Sequence, residues 1–284
     1  AIDIAKKYNG EILNADSMQV YKEIKILSAR PEKSEIKHHF YGFISAKNTF
    51  SGGKWCKLVA KKIKGIQKKN KTPIVVGGTG LYFRALIEGL VKIPKVKKLD
   101  YSHLNPIGRW MMGNHYHKKN PTIFEGINRN DIQRVSRAIS VYEGTGLTLK
   151  EWQNKENKKY FNSSDFIKLC LLPPKDDLEK KINSRFIQML KKGALDEVRK
   201  YNKKFFVPAS HISANSIIGI HEIGLYLQKS INLKNLKDRV LIRTRQYAKR
   251  QYTWQRGQMK DWKQFTDINY LDLRKKILSY LSKT

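Results

Sequence analysis

Apolar and polar residues along the first third of the chain follow patterns that predict alternating strands and helices. Short apolar runs predict strands over residues 11–15 and 72–76. Residues 51–69 predict a helix with lysines outward and a set of apolar residues inward, namely Trp55, Leu58, Val59, Ile63 and Ile66. The second strand leads into a Gly-Gly-Thr-Gly turn at 77–80 and an apolar helix over 81–90. A strand followed by a glycine turn and a helix is typical of a parallel α/β sheet, in which the helix at 51–69 is a crossover.

The pattern changes after residue 90. Between 91 and 128 it breaks into Lys, Pro, Asn, Gly and His with scattered aromatic residues, which predicts a surface insertion without firm elements. Further helices are predicted over 131–143, 176–192, 195–201, 219–227 and 236–256, and a buried strand over 166–172 is expected to resume the sheet. We therefore expect a first part of an α/β core at 1–94, an insertion region at 95–128, and the rest of the core with C-terminal helices at 129–284.

The charge of the chain points to a polyanionic partner. Lysine and arginine outnumber aspartate and glutamate by 57 to 24, and the formal net charge is +33. Such an excess predicts binding to RNA, DNA or an anionic membrane, although abundant Lys, Ile and Asn are also what AT-rich coding produces. No apolar run approaches the roughly 20 residues of a membrane helix, and the printed sequence does not begin with a secretory signal. We expect a cytoplasmic, monomeric protein without a membrane partner.

Neither the cysteines nor the paired histidines predict a metal site. Cys56 and Cys170 lie far apart and form no C-x-x-C pair, so neither a disulfide framework nor a zinc ribbon is supported. His38 and His39 are adjacent and therefore point to opposite sides of a strand, with no carboxylate or cysteine at ligand spacing. We expect structural histidines and no metal ligands from the protein.

Two features of the predicted sheet could carry chemistry. Asp16 follows a strand at the sheet edge where open α/β sheets bind ligands, so it is either a general base or a turn-forming residue. The glycine turn at 77–80 is either a seat for an anion or a nucleotide edge, or simply a tight connection. Gly52-Gly53-Lys54 resembles a phosphate loop, but Trp55 stands where Ser or Thr is required, and no other match occurs in the chain.

Two basic helices are suited to RNA. Arg134 and Arg137 lie three residues apart and share a helix face beside Gln133, which favours contact with phosphates. The helix at 236–256 interleaves arginines and lysines with aromatic residues, Tyr247, Tyr252 and Trp254. Cations mixed with stacking surfaces are typical of binding to looped or single-stranded RNA, whereas an ordinary solvated face needs no aromatic rings.

These pieces, in this order, resemble one family. Residues 16–21 (Asp-Ser-Met-Gln-Val-Tyr) are similar to the D-S-x-Q-x-Y motif of tRNA dimethylallyltransferases, and residues 77–82 (Gly-Gly-Thr-Gly-Leu-Tyr) match their G-G-T-G-L-Y motif. The other matching segments are 28–31, 38–39, 50–53, 130–138 (N-D-x-x-R-x-x-R-A) and 245–254 (R-Q-x-A-K-R-Q-x-T-W). The ordered set covers nearly the whole chain and is far more specific than any one motif.

The resemblance implies a fold and a reaction. It implies a P-loop-kinase-like parallel sheet with a reduced insertion and helical C-terminal additions, and transfer of a dimethylallyl group from dimethylallyl diphosphate to N6 of the adenosine 3′ to the anticodon. Asp16 would accept the proton of the amine and Thr79 would help hold the flipped base, in a pocket also lined by Ser17, Met18 and Gln19. The anticodon stem-loop of tRNA would be held by Gln133, Arg134, Val135, Ser136, Arg137, Arg245, Lys249, Arg250, Gln251, Tyr252, Thr253, Trp254, Gln255 and Arg256. Mg²⁺ is the implied cofactor, because it offsets the charge of the departing diphosphate.

The sequence also departs from the family. The family's first strand and phosphate loop are missing, the chain begins with Ala1 inside a helical pattern, and Ser216 stands where a basic residue is common. We therefore expect an N-terminally truncated chain, either a fragment or a natural truncation, that is inactive as given and whose diphosphate-binding residues are unknown. Two alternatives remain at this point, a P-loop nucleotide kinase relative and a non-catalytic RNA-binding remnant.

Overall fold

The computed structural model describes residues 1–32, 34–205 and 213–284. Its helices are α1 (Ile2–Lys7), α2 (Gly52–Gln67), α3 (Gly80–Ile87), α4 (Pro106–Lys119), α5 (Ile132–Thr145), α6 (Leu149–Gln153), α7 (Lys175–Lys191), α8 (Ala194–Lys204), α9 (Ile220–Leu227), α10 (Leu233–Gln258) and α11 (Tyr270–Leu281). Its strands are β1 (Gly10–Asn14), β2 (His38–His39), β3 (Thr72–Val76), β4 (Leu169–Leu171) and β5 (Lys263–Phe265). The chain forms two compact units, one made of Ala1–Leu86 and Ser163–Thr284 and the other of Ile87–Asn162.

The first unit contains the predicted parallel sheet. The strand order is β2-β1-β3, and Leu13 of the central, fully buried strand pairs with His39 on one side and Val75 on the other. Helix α2 is the crossover, and its Trp55 is anchored because the indole Nε1 donates to the Asn14 carbonyl at 2.8 Å and the ring stacks on Tyr82. The α/β prediction is confirmed.

Two details of this part of the chain differ from the sequence prediction. Leu58, predicted to face inward from α2, is 40% exposed, because the buried stripe runs through Trp55, Val59 and Ile63 instead. Strand β4 does not extend the first sheet; it pairs in parallel with β5 in a separate two-stranded sheet. The predicted resumption of the sheet at 166–172 is therefore wrong. Strand β5 was not predicted, because Phe265 is its only buried residue.

Helices α7 to α10 pack around the segment that leaves β1. Phe186 of α7, Val198 of α8 and Ile223 of α9 join Val20 and Ile24 in one buried cluster. Glu197 of α8 accepts three backbone hydrogen bonds, from the N–H groups of residues 25, 26 and 27, at 2.7 to 3.0 Å. The segment at 20–27 has no helix or strand, so this carboxylate satisfies backbone donors that secondary structure would otherwise satisfy.

A buried ion pair joins α9 to α10. Glu222, 2% exposed, accepts a hydrogen bond from the Gly219 N–H at 2.9 Å through one oxygen and from the Arg243 guanidinium through the other. Gly219 has φ of 103°, a left-handed conformation that favours glycine. The start of α9 and the middle of α10 are therefore tied through one carboxylate.

The second unit is helical. The insertion predicted to lack elements contains α4, which begins at an Asn105 cap and a proline and buries none of its residues. Helix α5 packs Val135 and Ile139 against Ile123 and Phe124, and it ends at Gly146, whose φ is 71°. Across the described ranges, no helix has the length and apolar content needed to span a membrane.

Candidate active site and RNA-binding surface

Hydrogen bonds fix the backbone that follows β1, where Asp16 lies. The Ala15 N–H donates to the Val76 carbonyl at 2.7 Å, which continues the sheet by one residue. The buried side chain of Asn14 accepts from the Asp16 N–H at 2.8 Å and donates to the Asp16 and Phe40 carbonyls. The Asp16 carboxylate then turns back so that its Oδ1 accepts from the Met18 N–H at 2.8 Å. One oxygen is thus bound locally, which holds the side chain in one orientation.

The glycine turn brings Thr79 to the same place. The Thr79 N–H donates to the Ala15 carbonyl at 3.1 Å, and its hydroxyl accepts from the Ser17 N–H at 3.0 Å and donates to the Ser17 hydroxyl at 3.2 Å. A Cβ on Gly77 would lie 2.1 Å from the Ala15 carbonyl carbon, so only glycine permits this approach. Asp16 and Thr79, which sequence places 63 residues apart, therefore flank one site.

Helix α10 packs directly on this turn. The Gln251 side chain donates to the Gly78 carbonyl at 3.0 Å, and a Cβ on Gly80 would lie 2.1 Å from Nε1 of Trp254. Tyr252 is also engaged within the protein, since its hydroxyl donates to the Pro173 carbonyl. These three predicted RNA-binding residues thus contact protein atoms.

The other predicted residues of α10 divide between solvent and a surface ion pair. Lys249, Arg250, Thr253 and Arg256 are exposed, and Gln255 is half-buried. Arg245 is exposed and pairs with Glu179 of α7 at 2.7 Å. The helix therefore presents cations on one side, while the other side is packed on the glycine turn.

The electrostatics of the site are dominated by burial. Burial raises the pKa of the Asp16 carboxyl above its ordinary value, although backbone N–H groups and the charge of Arg185 act to lower it. Burial, together with the charge of Asp16, raises the pKa of Tyr41 and of Tyr247 to about 12. The tyrosines are therefore neutral near pH 7, and Asp16 has the raised basicity that a proton acceptor needs.

Arg185 is the residue that sequence reasoning missed. It lies on α7, where it follows several lysines, so no periodicity or motif distinguishes it from a solvated cation. Its charge acts to lower the pKa of Asp16, which lies 169 residues earlier in the chain.

The neighbours of Asp16 have different roles. Gln19 donates its side-chain amide to the Ser28 and Ala29 carbonyls at 3.0 and 3.2 Å, so it braces the following loop. Ser216, the position where a basic residue was expected, places its hydroxyl 3.7 Å from the Met18 sulfur. Position 216 is therefore next to the site but carries no charge.

The predicted RNA-binding set on α5 belongs to the second unit. Gln133, Arg134 and Arg137 are exposed, and Arg134 pairs with Asp131 at 3.3 Å. Val135 is 3% exposed within the apolar cluster, and Ser136, 6% exposed, accepts from the Tyr101 N–H. The two buried residues thus hold the helix in its unit, while the other three face solvent.

The residues present do not form a magnesium site by themselves. No group of three potential ligand side chains from His, Cys, Asp and Glu occurs among the residues that the structure describes. His39 bonds Glu11 at 2.6 Å and His38 bonds the Ile36 carbonyl at 2.7 Å, in agreement with a structural role. Asp16 is a single carboxylate, whereas Mg²⁺ needs six oxygen ligands, of which phosphates and water supply the remainder.

Comparison with known proteins identifies the family to which this chain belongs. The model of the IPP transferase family matches residues 19–258. The tRNA dimethylallyltransferase of Pelagibacter ubique is 45% identical over 269 residues, which cover 92% of this chain and 85% of that protein. The corresponding enzyme of Parvibaculum lavamentivorans is 37% identical over 291 residues, which cover 99% and 90%.

Solved structures show the same fold. A eukaryotic dimethylallyltransferase acting on tRNA superposes with a TM-score of 0.79 at 27% identity, covering 98% of this chain and 73% of that one. The tRNA isopentenylpyrophosphate transferase of Bacillus halodurans gives a TM-score of 0.71 at 25% identity, covering 99% and 90%. The chain therefore has the P-loop-kinase-like fold of prenyl-transferring enzymes. It belongs to the IPP transferase family, as its motifs predicted.

Proposed function

We propose that this chain transfers a dimethylallyl group from dimethylallyl diphosphate to N6 of the adenosine 3′ to the anticodon in tRNA. The observation that carries the proposal is the meeting of Asp16 and Thr79 at one turn, directly beneath a basic helix. Relatives at 45% and 37% identity are named for this reaction.

The reaction needs a proton acceptor at the position of Asp16. As N6 attacks the allylic carbon, the C–N bond forms, the C–O bond to diphosphate breaks, and N6 must lose a proton. Oδ1 of Asp16 is held by the Met18 N–H, so Oδ2, which faces Gly78, is the oxygen that would take that proton. Because burial raises its pKa, the carboxylate accepts a proton more readily than an exposed aspartate does.

Thr79 would hold the base against this acceptor. Its hydroxyl is oriented by Ser17 on two sides, so its free lone pair has a fixed direction. A flipped adenine needs hydrogen bonds at its Watson–Crick edge, and a fixed hydroxyl beside Asp16 supplies one.

The RNA would be held by the exposed cations on both units. On α10 these are Lys249, Arg250 and Arg256, and on α5 they are Arg134 and Arg137. Gln133 would add a polar contact, and Thr253 and Gln255 would line the same surface of α10. Other members of the predicted set are buried or bonded within the protein, and we propose that they position the helices that carry the exposed cations. They are Val135, Ser136, Gln251, Tyr252 and Trp254.

The residues named so far do not supply enough ligands to bind the diphosphate and its metal ion. Mg²⁺ would supply charge neutralisation on the diphosphate, but one carboxylate does not hold the ion, so no step is assigned to it. Since no G-x-x-x-x-G-K-[ST] pattern occurs in the 284 residues, their inactivity when expressed alone stays a prediction.

The decisive experiment substitutes Asp16. Transfer to an anticodon stem-loop is measured with the 284-residue chain and, if that chain is inactive, with the same chain fused to a phosphate-loop segment before Ala1. Asp16→Asn is expected to reduce transfer about 10²- to 10⁴-fold and to leave RNA affinity within about twofold, because only the proton acceptor is lost. Asp196→Asn, which changes an exposed carboxylate on α8, is the matched control and should keep full activity.

The assay also distinguishes a transferase from the remaining alternative, a non-catalytic RNA-binding protein. A non-catalytic RNA-binding protein would bind the stem-loop equally well with and without Asp16 and would show no turnover even with the fused phosphate loop. Near-normal transfer by Asp16→Asn would show that the proton acceptor has been assigned wrongly. The family match over residues 19–258 already favours a transferase over a nucleotide kinase.

A further inference from the structure

The Asn14 side chain is 0% exposed at the end of β1, and both ends of its amide are hydrogen-bonded. Its Oδ1 accepts from the Asp16 N–H at 2.8 Å, and its Nδ2 donates to the carbonyls of Asp16 and Phe40 at 2.9 and 3.1 Å. The opposite orientation of the amide would set Oδ1 against two carbonyl oxygens, so these three bonds fix the side chain. Asn14 therefore holds both peptide groups that flank the Asp16 side chain.

This arrangement determines where the Asp16 carboxylate points. A side chain leaves the backbone at Cα, so holding the peptide group on each side of Asp16 fixes the direction of its Cβ. The bond from the Met18 N–H to Oδ1 then fixes the rotation of the carboxylate. Asn14 is itself anchored, because its backbone pairs with Val76 of β3 and its carbonyl accepts from the Trp55 indole at 2.8 Å. The aim of the carboxylate is therefore set from the rigid sheet.

The remaining partner of Asn14 lies in the segment that follows β2. Phe40 has φ of 66°, a left-handed conformation that bulky residues seldom adopt. Just beyond it, the N–H groups of residues 42 and 43 donate to the carbonyls of residues 19 and 20 at 2.8 and 2.9 Å. The bond from Asn14 to the Phe40 carbonyl stands at the start of this pairing. One amide thus joins the segment at 40–43 to the residues that carry and follow Asp16.

The three bonds explain why position 14 requires an asparagine. Aspartate has the same shape, but an ionised carboxylate has no N–H donor and would face two carbonyl oxygens. The serine hydroxyl is shorter and donates once, although it can still accept from the N–H two residues later, as an Asx-turn does. Alanine makes none of the three bonds. Substitutions at position 14 therefore remove the bonds in steps.

We propose that Asn14 is a positioning residue for the transfer reaction, and that it acts by aiming the carboxylate of Asp16. The inference rests on the proposed function, because it concerns the proton acceptor of that reaction. Since Asn14 is fully buried, it cannot contact a substrate, and its effect must pass through Asp16. A displacement of about 1 Å at a reacting group can cost about 10²-fold in rate, whereas RNA affinity depends on other side chains.

Transfer kinetics of two Asn14 variants test this role in the protein that is active in the Asp16 assay. Asn14→Ala should lower kcat about 10- to 100-fold and leave KM for the stem-loop within about twofold. Asn14→Ser should lose less, because its hydroxyl can keep the bond to the Asp16 N–H. Ser140→Ala is the matched control, since Ser140 is 2% exposed and makes two hydrogen bonds within the second unit. It should lose stability and keep kcat.

A double-mutant cycle with Asp16→Asn separates positioning from a general loss of structure. If Asn14 acts through the carboxylate, Asn14→Ala should change kcat by less than about twofold once Asp16→Asn has removed that carboxylate. An equal cost in both backgrounds, or a kcat for Asn14→Ala equal to that of the wild type, would overturn the inference. If Asn14→Ala does not fold, Asn14→Ser takes its place in the cycle with the same outcomes.

Amide hydrogen exchange answers the question without turnover. The Met18 N–H is bonded to Oδ1 of Asp16, so its exchange rate reports whether the carboxylate stays in place. In Asn14→Ala this N–H should exchange at least about tenfold faster, while the Ile12 N–H, which donates to the Lys37 carbonyl, keeps its protection. Unchanged exchange at Met18 would overturn the inference and leave the proposed function intact. A wild type that never transfers the group would refute the proposed function, whatever the exchange shows.

Discussion

A single methyl group at Gly80 should separate the glycine turn at 77–80 from helix α10. In Gly80→Ala, the new Cβ would meet three atoms of the Trp254 indole at 2.1, 2.3 and 2.5 Å. Carbon atoms pack at about 3.5 to 4.0 Å, so the ring or the turn must move by more than an ångström. Forced insertion of this kind costs about 1 to 3 kcal/mol, which corresponds to about 5- to 150-fold if it appears in RNA affinity.

Two measurements show whether this free-energy cost falls on the stability of the protein or on its RNA affinity. Urea unfolding reports the loss of stability, and titration of a labelled anticodon stem-loop reports the displacement of α10. Gly65→Ala is the control, because its Cβ would meet no atom within 4 Å, and replacing a helical glycine should stabilise the protein by up to about 1 kcal/mol.

A double-mutant cycle then tests the cause. Trp254→Ala removes the three nearest atoms that the methyl group would meet, so Gly80→Ala should cost little further in that background. If Gly80→Ala is equally harmful with and without the indole, the clash is not the cause and the turn itself requires glycine. If it is harmless in the wild type, the packing of α10 on the turn is not tight.

Three further predictions concern the titration of Asp16 and the anchoring of α10. If the ionised Asp16 is the proton acceptor, as we propose, kcat/KM should fall as the pH falls through the pKa of Asp16, which burial places above 3.8. A pH–rate profile that stays flat down to pH 3.8 would contradict this role. Because the pKa of Asp16 is raised in the folded protein, ionisation of this carboxyl destabilises the fold. Asp16→Asn should therefore raise the Tm near pH 7, and this gain in Tm should shrink as the pH falls and vanish below pH 3.8. Glu222→Ala should lower the free energy of unfolding in urea by about 3 kcal/mol. This is the low end for a buried pair, because the Arg243 side chain is 38% exposed and can be hydrated. A loss below about 1 kcal/mol would show that the pair does not anchor α10.

Elements with a one-sided apolar pattern were predictable from sequence. Helix α2 alternates buried Trp55, Val59 and Ile63 with lysines, and β1 and β3 are short apolar runs before a polar turn. Helix α4 was missed because none of its residues is buried, so packing leaves no trace in its sequence. Strand β5 was missed because two of its three residues are exposed.

The site was predictable as far as its motifs reach. Asp16 and Thr79 were identified because a strand-end carboxylate and a glycine turn have local signatures, and the structure shows that they meet. The partners that α7 supplies could not be identified. Arg185 lies among lysines, and nothing in the local sequence distinguishes it as the cation whose charge lowers the pKa of Asp16. The division of α10 into a packed face and a solvated face likewise depends on Gly78 and Gly80, which lie far away in sequence.

The three backbone bonds to Glu197 have a consequence for how this chain tolerates change. Lys25 is exposed and contributes only its N–H group to that arrangement, so many side chains could replace it without loss, whereas Leu27 is buried in the core and Ile26 packs against it. Glu197 has no such freedom, because a shorter or neutral residue would release all three donors at once. Random mutagenesis should therefore recover many functional variants at Lys25 and very few at the single helical position that holds the loop.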